Sequence, residues 1–162
     1  MTADLRLSLP DCDATGRLAV LLAPLLRPGD TILLDGPIGT GKTHFARSLI
    51  QWRLARADRV EDVPSPTFTL VQTYDDGTCE IWHADLYRLT DPLDVIELGL
   101  DEAMRDAITL IEWPDRMGDM TPENACRIHF SHEGEGRAAQ IVWPDARLDA
   151  WRRAYEGEAQ PA

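Results

Sequence analysis

Lysine is almost missing from this chain. Of its 162 residues 16 are basic, and all but Lys42 of those are arginine. Where a positive charge alone is enough, the sequence uses arginine, so the single lysine marks a position with a narrower requirement. Long apolar runs are also missing. The longest, Leu18 to Leu26, is broken by Pro24, whereas a membrane-spanning helix needs about twenty residues. The opening segment MTADLRLSLPD has no basic stretch leading into an apolar one, so no secretory signal is expected there. Cysteine is scarce: Cys12, Cys79 and Cys126 lie far apart and form no CxxC pair. That argues against a zinc knuckle or a disulfide framework and for reduced thiols in a cytoplasmic protein. Positive charge is short overall, with 16 basic against 28 acidic residues and a net charge of -12. Such a chain has no broad face for neutralising phosphates. If RNA lies downstream of its function, another protein is expected to hold it.

The rest of the composition is that of an ordinary globular domain. Apolar residues make up 44% and charged residues 27%, which excludes a disordered chain. A chain of this length buries roughly 70% of its unfolded surface, enough to fold without disulfides or a structural metal. A single domain over 1–155 is expected, with a disordered tail over 156–162.

The lone lysine lies in Gly36-Pro37-Ile38-Gly39-Thr40-Gly41-Lys42-Thr43, which fits G-x-x-x-x-G-K-[ST]. At this composition a chance match has a probability of roughly one in two thousand. Each residue type has a physical reason. The glycines let the backbone turn tightly and approach phosphate oxygens closely. Successive N–H groups of Gly39, Thr40 and Gly41 then form an anion-binding nest. The helix beginning near Lys42 adds the positive end of its dipole. Lys42 offers a compact ammonium to the β- and γ-phosphates, and the Thr43 hydroxyl is the expected Mg²⁺ ligand. The flanks agree: TILLD before the loop reads as a buried strand, and KTHFARSLIQWRLAR after it carries Phe45, Leu49 and Trp52 at helical spacing.

Other elements are coarser. Leu5, Leu7 and Leu9 alternate as a strand. A helix capped by Asp11 or Asp13 carries Leu18, Leu21, Leu22 and Leu25 and is kinked or ended by Pro24. The segment 57–66 reads as a loop. Strands are expected over 67–73 and 79–85 around the turn Asp75-Asp76-Gly77. A short helix starts at Asp91-Pro92 and ends by Gly99. AITLI over 107–111 reads as a strand covered on both faces, and 127–131 and 139–143 as a hairpin, followed by an amphipathic helix. The expected fold class is α/β: a three-layer, P-loop NTPase-like domain with a mixed sheet, parallel around the phosphate loop and antiparallel at the added hairpins.

In open α/β sheets ligands lie beyond the carboxyl ends of strands. Two such ends carry acids. Glu112 follows the more apolar strand and is the first candidate to hold Mg²⁺, directly or through water. Asp85 is either a second acid on the metal side or the group that orients an attacking water. Thr67, in Pro64-Ser65-Pro66-Thr67, either senses the γ-phosphate or merely follows prolines that stiffen a strand entry. Trp113 lies beside Glu112, near the site or as a packing aromatic. Arg88, Arg116 and Arg137 are candidates for phosphate contacts or plain solvated residues. The four histidines, among them His44 and His83, make no metal spacing and read as surface or core residues. Guanine-specific proteins of this kind use [NT]-K-x-D, which a single lysine excludes, so adenine is favoured.

GPIGTGKT, SPTFTLV at 65–71, HADLYRL at 83–89 and IEWP at 111–114, in this order and spacing, resemble the TsaE (YjeE) family. The likeness runs from about Leu9 to Trp143. It implies a small ATPase of bacterial tRNA threonylcarbamoyladenosine biosynthesis that binds ATP and Mg²⁺ and hydrolyses ATP slowly on its own. It also implies TsaD and TsaB as partners, with tRNA reached only through the complex and no membrane involved. By the resemblance Lys42, Thr67, Asp85 and Glu112 are the catalytic set, and Thr43 and Glu112 face the metal. The nucleotide is met by Gly39, Thr40, Gly41, Lys42, Thr43, His44 and Asp115, and more loosely by Cys12, Thr15, Gly136 and Arg137. Ile38 and His44 depart from the usual leucine and Thr or Ser without affecting phosphate binding. The alternative is a small P-loop metabolite kinase, although the segment after Glu112 is short for an acceptor insert. A third reading is a nucleotide-dependent binding module without catalysis.

Overall fold

A computed structural model describes residues 4–159. Its elements are β1 (Asp4–Leu9), α1 (Cys12–Leu22), β2 (Thr31–Asp35), α2 (Lys42–Arg56), β3 (Val71–Asp75), β4 (Glu80–Asp85), α3 (Asp94–Glu97), α4 (Leu100–Asp106), β5 (Ile108–Glu112), β6 (Cys126–Glu133), β7 (Gly136–Val142) and α5 (Arg147–Ala159), with 3-10 turns at Ala23–Leu25 and Pro114–Met120. The strands form one seven-stranded sheet in the order β1-β7-β6-β2-β5-β4-β3. β2 runs parallel to β5 and β6, and β4 parallel to β5. β3, β7 and β1 add antiparallel edges. The mixed α/β sheet expected from the sequence is therefore present.

Alternation along β2 explains the two apolar layers. Ile32 and Leu34 pack under Phe45, Leu49 and Ile50 of α2, together with Leu18 and Leu22 of α1 and Trp151 of α5. Leu33 turns the other way and joins Ile111, Ala84, Val95, Leu100 and Met117. Each central strand is thus covered on both faces, as its continuous apolar run requires. Trp151 is fully buried, and its ring N–H donates to the Leu18 carbonyl at 2.9 Å. This bond lets a large aromatic with a polar edge fill the α1–α5 seam.

Local signals account for most element ends. The Asp11 carboxylate accepts the Ala14 N–H at 2.8 Å, capping α1, and Pro24 lies in the 3-10 turn that ends it. Three expectations change. Thr67–Leu70 is a turn rather than the start of a strand, closed by Leu70 N–H on the Pro66 carbonyl at 2.7 Å with Leu70 at φ 68°; β3 starts only at Val71. After Gly99, at φ 82°, a second short helix follows, α4. It buries only Leu100 and Ala103, too few positions to show a period in the sequence. α5 continues to Ala159, past the point where a loose tail was expected; the rest of that tail, 160–162, lies outside the described residues.

The β3–β4 turn is tied down by Asp76. Its buried carboxylate accepts the Thr78 and Cys79 N–H groups, both at 2.9 Å, and Arg53 of α2 at 2.7 Å. Burial pushes this carboxyl up, but the hydrogen bonds from Cys79, Thr78 and Arg53 outweigh it and hold it at about 2 against an ordinary 3.8. A depressed folded value stabilises fully above 3.8 and fades as the pH falls towards 2, a contribution of about 2 kcal/mol. Asp76→Ala also strands the half-buried Arg53, so a loss of about 3–5 kcal/mol is expected by denaturant unfolding at neutral pH. The gap to wild type should narrow as the solution is acidified through that window.

Candidate functional site

The parallel strands β2, β4 and β5 all end at one edge of the sheet, and each delivers a piece of the site. β2 opens into the glycine loop. Gly36, Gly39 and Gly41 take φ of 135°, 81° and 101°, the left-handed side that glycine tolerates. Gly36 is the most constrained: a Cβ there would overlap the Phe130 carbonyl oxygen of β6. Gly36→Ala is expected to cost at least about 1–3 kcal/mol in thermal unfolding from strain and to weaken nucleotide binding. Gly39→Ala, whose Cβ would meet nothing within 4 Å, should cost less. Gly41 stands at the N-cap of α2 without a side-chain cap, so the first-turn N–H groups point into the loop.

The loop is braced from within and from outside. The Thr40 hydroxyl donates to the Pro37 carbonyl at 2.7 Å. Arg137 of β7 donates Nε and Nη2 to the Gly39 carbonyl at 3.2 and 3.0 Å. Lys42 is buried; its ammonium donates to the Gly36 carbonyl and lies 3.5 Å from the centre of the Trp113 ring. Burial pulls its pKa below 10.5, while the carboxylates of Glu112, Asp85, Asp35 and Asp115 oppose that shift.

Opposite the loop stand the acids. In register, Asp85 of β4 faces Glu112 of β5. Both are buried. The Thr43 hydroxyl lies 2.8 Å from Glu112 Oε1 and 3.0 Å from Oε2. His83 Nε2 reaches Oε2 at 2.8 Å. Asp85 accepts the Thr67 hydroxyl at 3.2 Å and the Tyr87 N–H at 3.0 Å. The turn at 67–70, incompatible with the strand first expected, is what aims Thr67 at Asp85.

A cleft of about 530 Å³ opens over these groups, lined by Gly39, Gly41, Lys42, Thr43, Thr67, Asp85, Tyr87, Glu112 and Trp113 among others. A second, of about 440 Å³, lies on the far side of the same loop, against Cys12, Thr15, Thr40, Glu135, Gly136 and Arg137. Gly39, Gly41 and His44 border both, and His44 Nε2 lies 2.9 Å from the Cys12 carbonyl. The sequence candidates therefore fall into two neighbouring groups joined by the loop. Asp115 stands apart: it is exposed and borders neither cleft, and only its charge reaches Lys42. Arg88 and Arg116 stack instead over Phe68 and Tyr87. Sequence reading missed His83 as a neighbour of Glu112. The signal was available, since His83 precedes Asp85 by two residues on one strand and so shares its face.

The donor set suits a hard divalent ion. Among the described residues no group of three or more His, Cys, Asp or Glu could hold a metal by itself. Thr43 and Glu112 offer oxygens only. Mg²⁺ is typically bound by one or two such protein ligands with phosphates and water completing the shell, which fits a site completed by a nucleotide. Among the described residues no helix is long and apolar enough to cross a membrane, and the three cysteines are free.

Comparison with known proteins gives concordant results. The family model described as "Threonylcarbamoyl adenosine biosynthesis protein TsaE" matches residues 9–140. Proteins named tRNA threonylcarbamoyladenosine biosynthesis protein TsaE are similar to this chain. That of Nostoc sp. is 36% identical over 143 residues, 85% of each chain. That of Bacillus subtilis is 32% identical over 124 residues, 76% of this chain and 75% of the relative. That of Rickettsia conorii is 43% identical over 103 residues, 64% of this chain, which spans only 57% of that relative's length. In fold, the crystal structure of Bacillus subtilis YdiB superposes with a TM-score of 0.76 at 23% identity, covering 99% of both chains.

Proposed function

This chain belongs to the TsaE family, and from that membership we propose that it binds ATP with Mg²⁺ and hydrolyses it slowly within tRNA threonylcarbamoyladenosine biosynthesis. The observation that carries the reading is the meeting of Thr43 and Glu112 at 2.8 Å beside the only lysine of the chain. Lys42 and the loop amides are read as holding the β- and γ-phosphates. The nucleoside is read as lying in the second cleft, against Cys12, Thr15, Gly136 and Arg137. Thr43 and Glu112 would hold Mg²⁺, which when bound supplies charge neutralisation to the phosphates. Asp85, which accepts a hydrogen bond from Thr67, is read as the acceptor for a water in the cleft. Trp113, whose ring covers Lys42 and packs against Tyr87 at 5.0 Å between centroids, shields the ammonium from bulk solvent and so strengthens its field.

Two further observations support partner dependence. Among the described residues no arginine lines the Lys42 cleft, so the cleft wall supplies no cationic finger there. Intrinsic turnover on the order of 10⁻³ s⁻¹ or slower is the corresponding expectation. Around the cleft, Ile38, Phe68 and Tyr87 are 71%, 79% and 45% exposed, an apolar rim suited to a protein partner. The family implies TsaD and TsaB for that place. Phosphate release from ATP should be slow for the chain alone and rise when TsaD and TsaB are added. Transfer of labelled phosphate to a small acceptor instead would favour the kinase reading, and turnover of tens per second by the isolated chain would contradict partner dependence.

A further inference from the structure

His83 is completely buried, yet it is neither aliphatic nor in reach of the cleft surface. Alternation along β4 sets Ile81, His83 and Asp85 on one face, beneath the start of α2. On β5 the same face carries Ile108, Leu110 and Glu112, and the register pairs His83 with Leu110 and Asp85 with Glu112. The Glu112 side chain therefore leans back along the sheet, away from the like charge of Asp85, to meet His83 Nε2 at 2.8 Å. Its Oε2 is shared between His83 and Thr43, while Oε1 takes Thr43 alone. Nε2 carries the hydrogen that a carboxylate acceptor requires. On the other side of the ring, Nδ1 is buried without a hydrogen-bond partner among the described residues.

That arrangement is a poor choice for stability. A buried polar atom without a partner costs about 1–3 kcal/mol, and a valine or isoleucine at this strand position would pack against Ile81 and Leu110 without that cost. We propose that His83 is a positioning residue: its Nε2–H anchors Glu112 from behind, so that the carboxylate meets a divalent ion in one orientation. The inference rests on the reading that Thr43 and Glu112 hold Mg²⁺. The two contacts of the carboxylate then have different parts. Thr43 is half-buried at the cleft wall and faces the nucleotide, whereas His83 is sealed behind it. Removing the anchor frees the carboxylate to swing towards the Lys42 ammonium, the cation whose charge it shares. Loss of such an outer partner typically weakens metal affinity 10–100-fold.

The test is calorimetry with a non-hydrolysable ATP analogue, run with Mg²⁺ and again with chelator, on wild type, His83→Leu, His83→Gln and His83→Asn. Glutamine carries its N–H at about the reach of Nε2; asparagine falls short. His83→Leu and His83→Asn should lose 10–100-fold of the Mg²⁺-dependent gain in affinity, keep metal-free binding within about twofold, and His83→Gln should recover most of the loss. A folded His83→Leu or His83→Asn with wild-type Mg²⁺ dependence would overturn the proposal, as would a His83→Gln no better than His83→Asn. If leucine prevents folding, the glutamine–asparagine comparison decides alone. A wild-type protein whose analogue binding ignores Mg²⁺ would instead remove the Thr43–Glu112 reading itself, a result separable from failure of the variants.

Discussion

Lys42→Ala is expected to lower the affinity for ATP at least tenfold. The ammonium is the one compact cation in the loop, and a charge-assisted bond to phosphate is worth about 1.5–3 kcal/mol. Burial makes this charge effective: Lys42 is 5% exposed, packed against Trp113 and within reach of the charge of four carboxylates. Those carboxylates hold the ammonium charged in a place where burial works against it. Without the lysine they would face the triphosphate unopposed, and like charges would repel the ligand. Lys42→Arg should not rescue binding, because the planar guanidinium is larger and carries its charge differently. Calorimetric titration measures both variants, and thermal unfolding separates loss of binding from loss of fold. Unchanged affinity in a folded Lys42→Ala would contradict the assignment of the loop.

Glu112→Gln should act on turnover and on the Mg²⁺-dependent part of the affinity, not on metal-free binding. The amide keeps the shape of the carboxylate and can still accept from Thr43 and His83. It loses the negative charge that a divalent ion needs. The expected result is a fall in kcat on the order of 10²-fold or more, with metal-free ATP affinity within a few-fold of wild type. A parallel fall in both would show that Glu112 supports the loop rather than the chemistry. Phosphate-release kinetics and calorimetry on the same preparation distinguish the outcomes.

The loop and its flanks were readable from residue types because glycine and lysine have few substitutes there. β2 and α2 match the bounds expected from apolar spacing, and of the two cap candidates, Asp11 and Asp13, it is Asp11 that caps α1. The acids at Asp85 and Glu112 were legible as strand ends, but their register was not. Which residues face each other across β4 and β5 depends on long-range pairing that neither strand encodes alone. The face His83 shares with Asp85 was legible, but the same limit hid its partner Glu112, 29 positions away. Thr67 was identified as a hydroxyl after the prolines, at the entry of an expected strand, and it is that strand which the structure changes. A run of β-branched and apolar residues suggested a strand, but Pro64, Pro66 and the left-handed Leu70 fold it into a turn, and the turn rather than a strand brings the hydroxyl to Asp85. Helix α4 was invisible because seven residues with two buried positions carry no clear period.

The most direct measurement is a crystal structure of the chain grown with Mg²⁺ and a non-hydrolysable ATP analogue. The account predicts the triphosphate between the amides of 39–43 and the Lys42 ammonium, with the ion between Thr43 and Glu112. A nucleotide bound away from that loop, or an ion held without either residue, would contradict it.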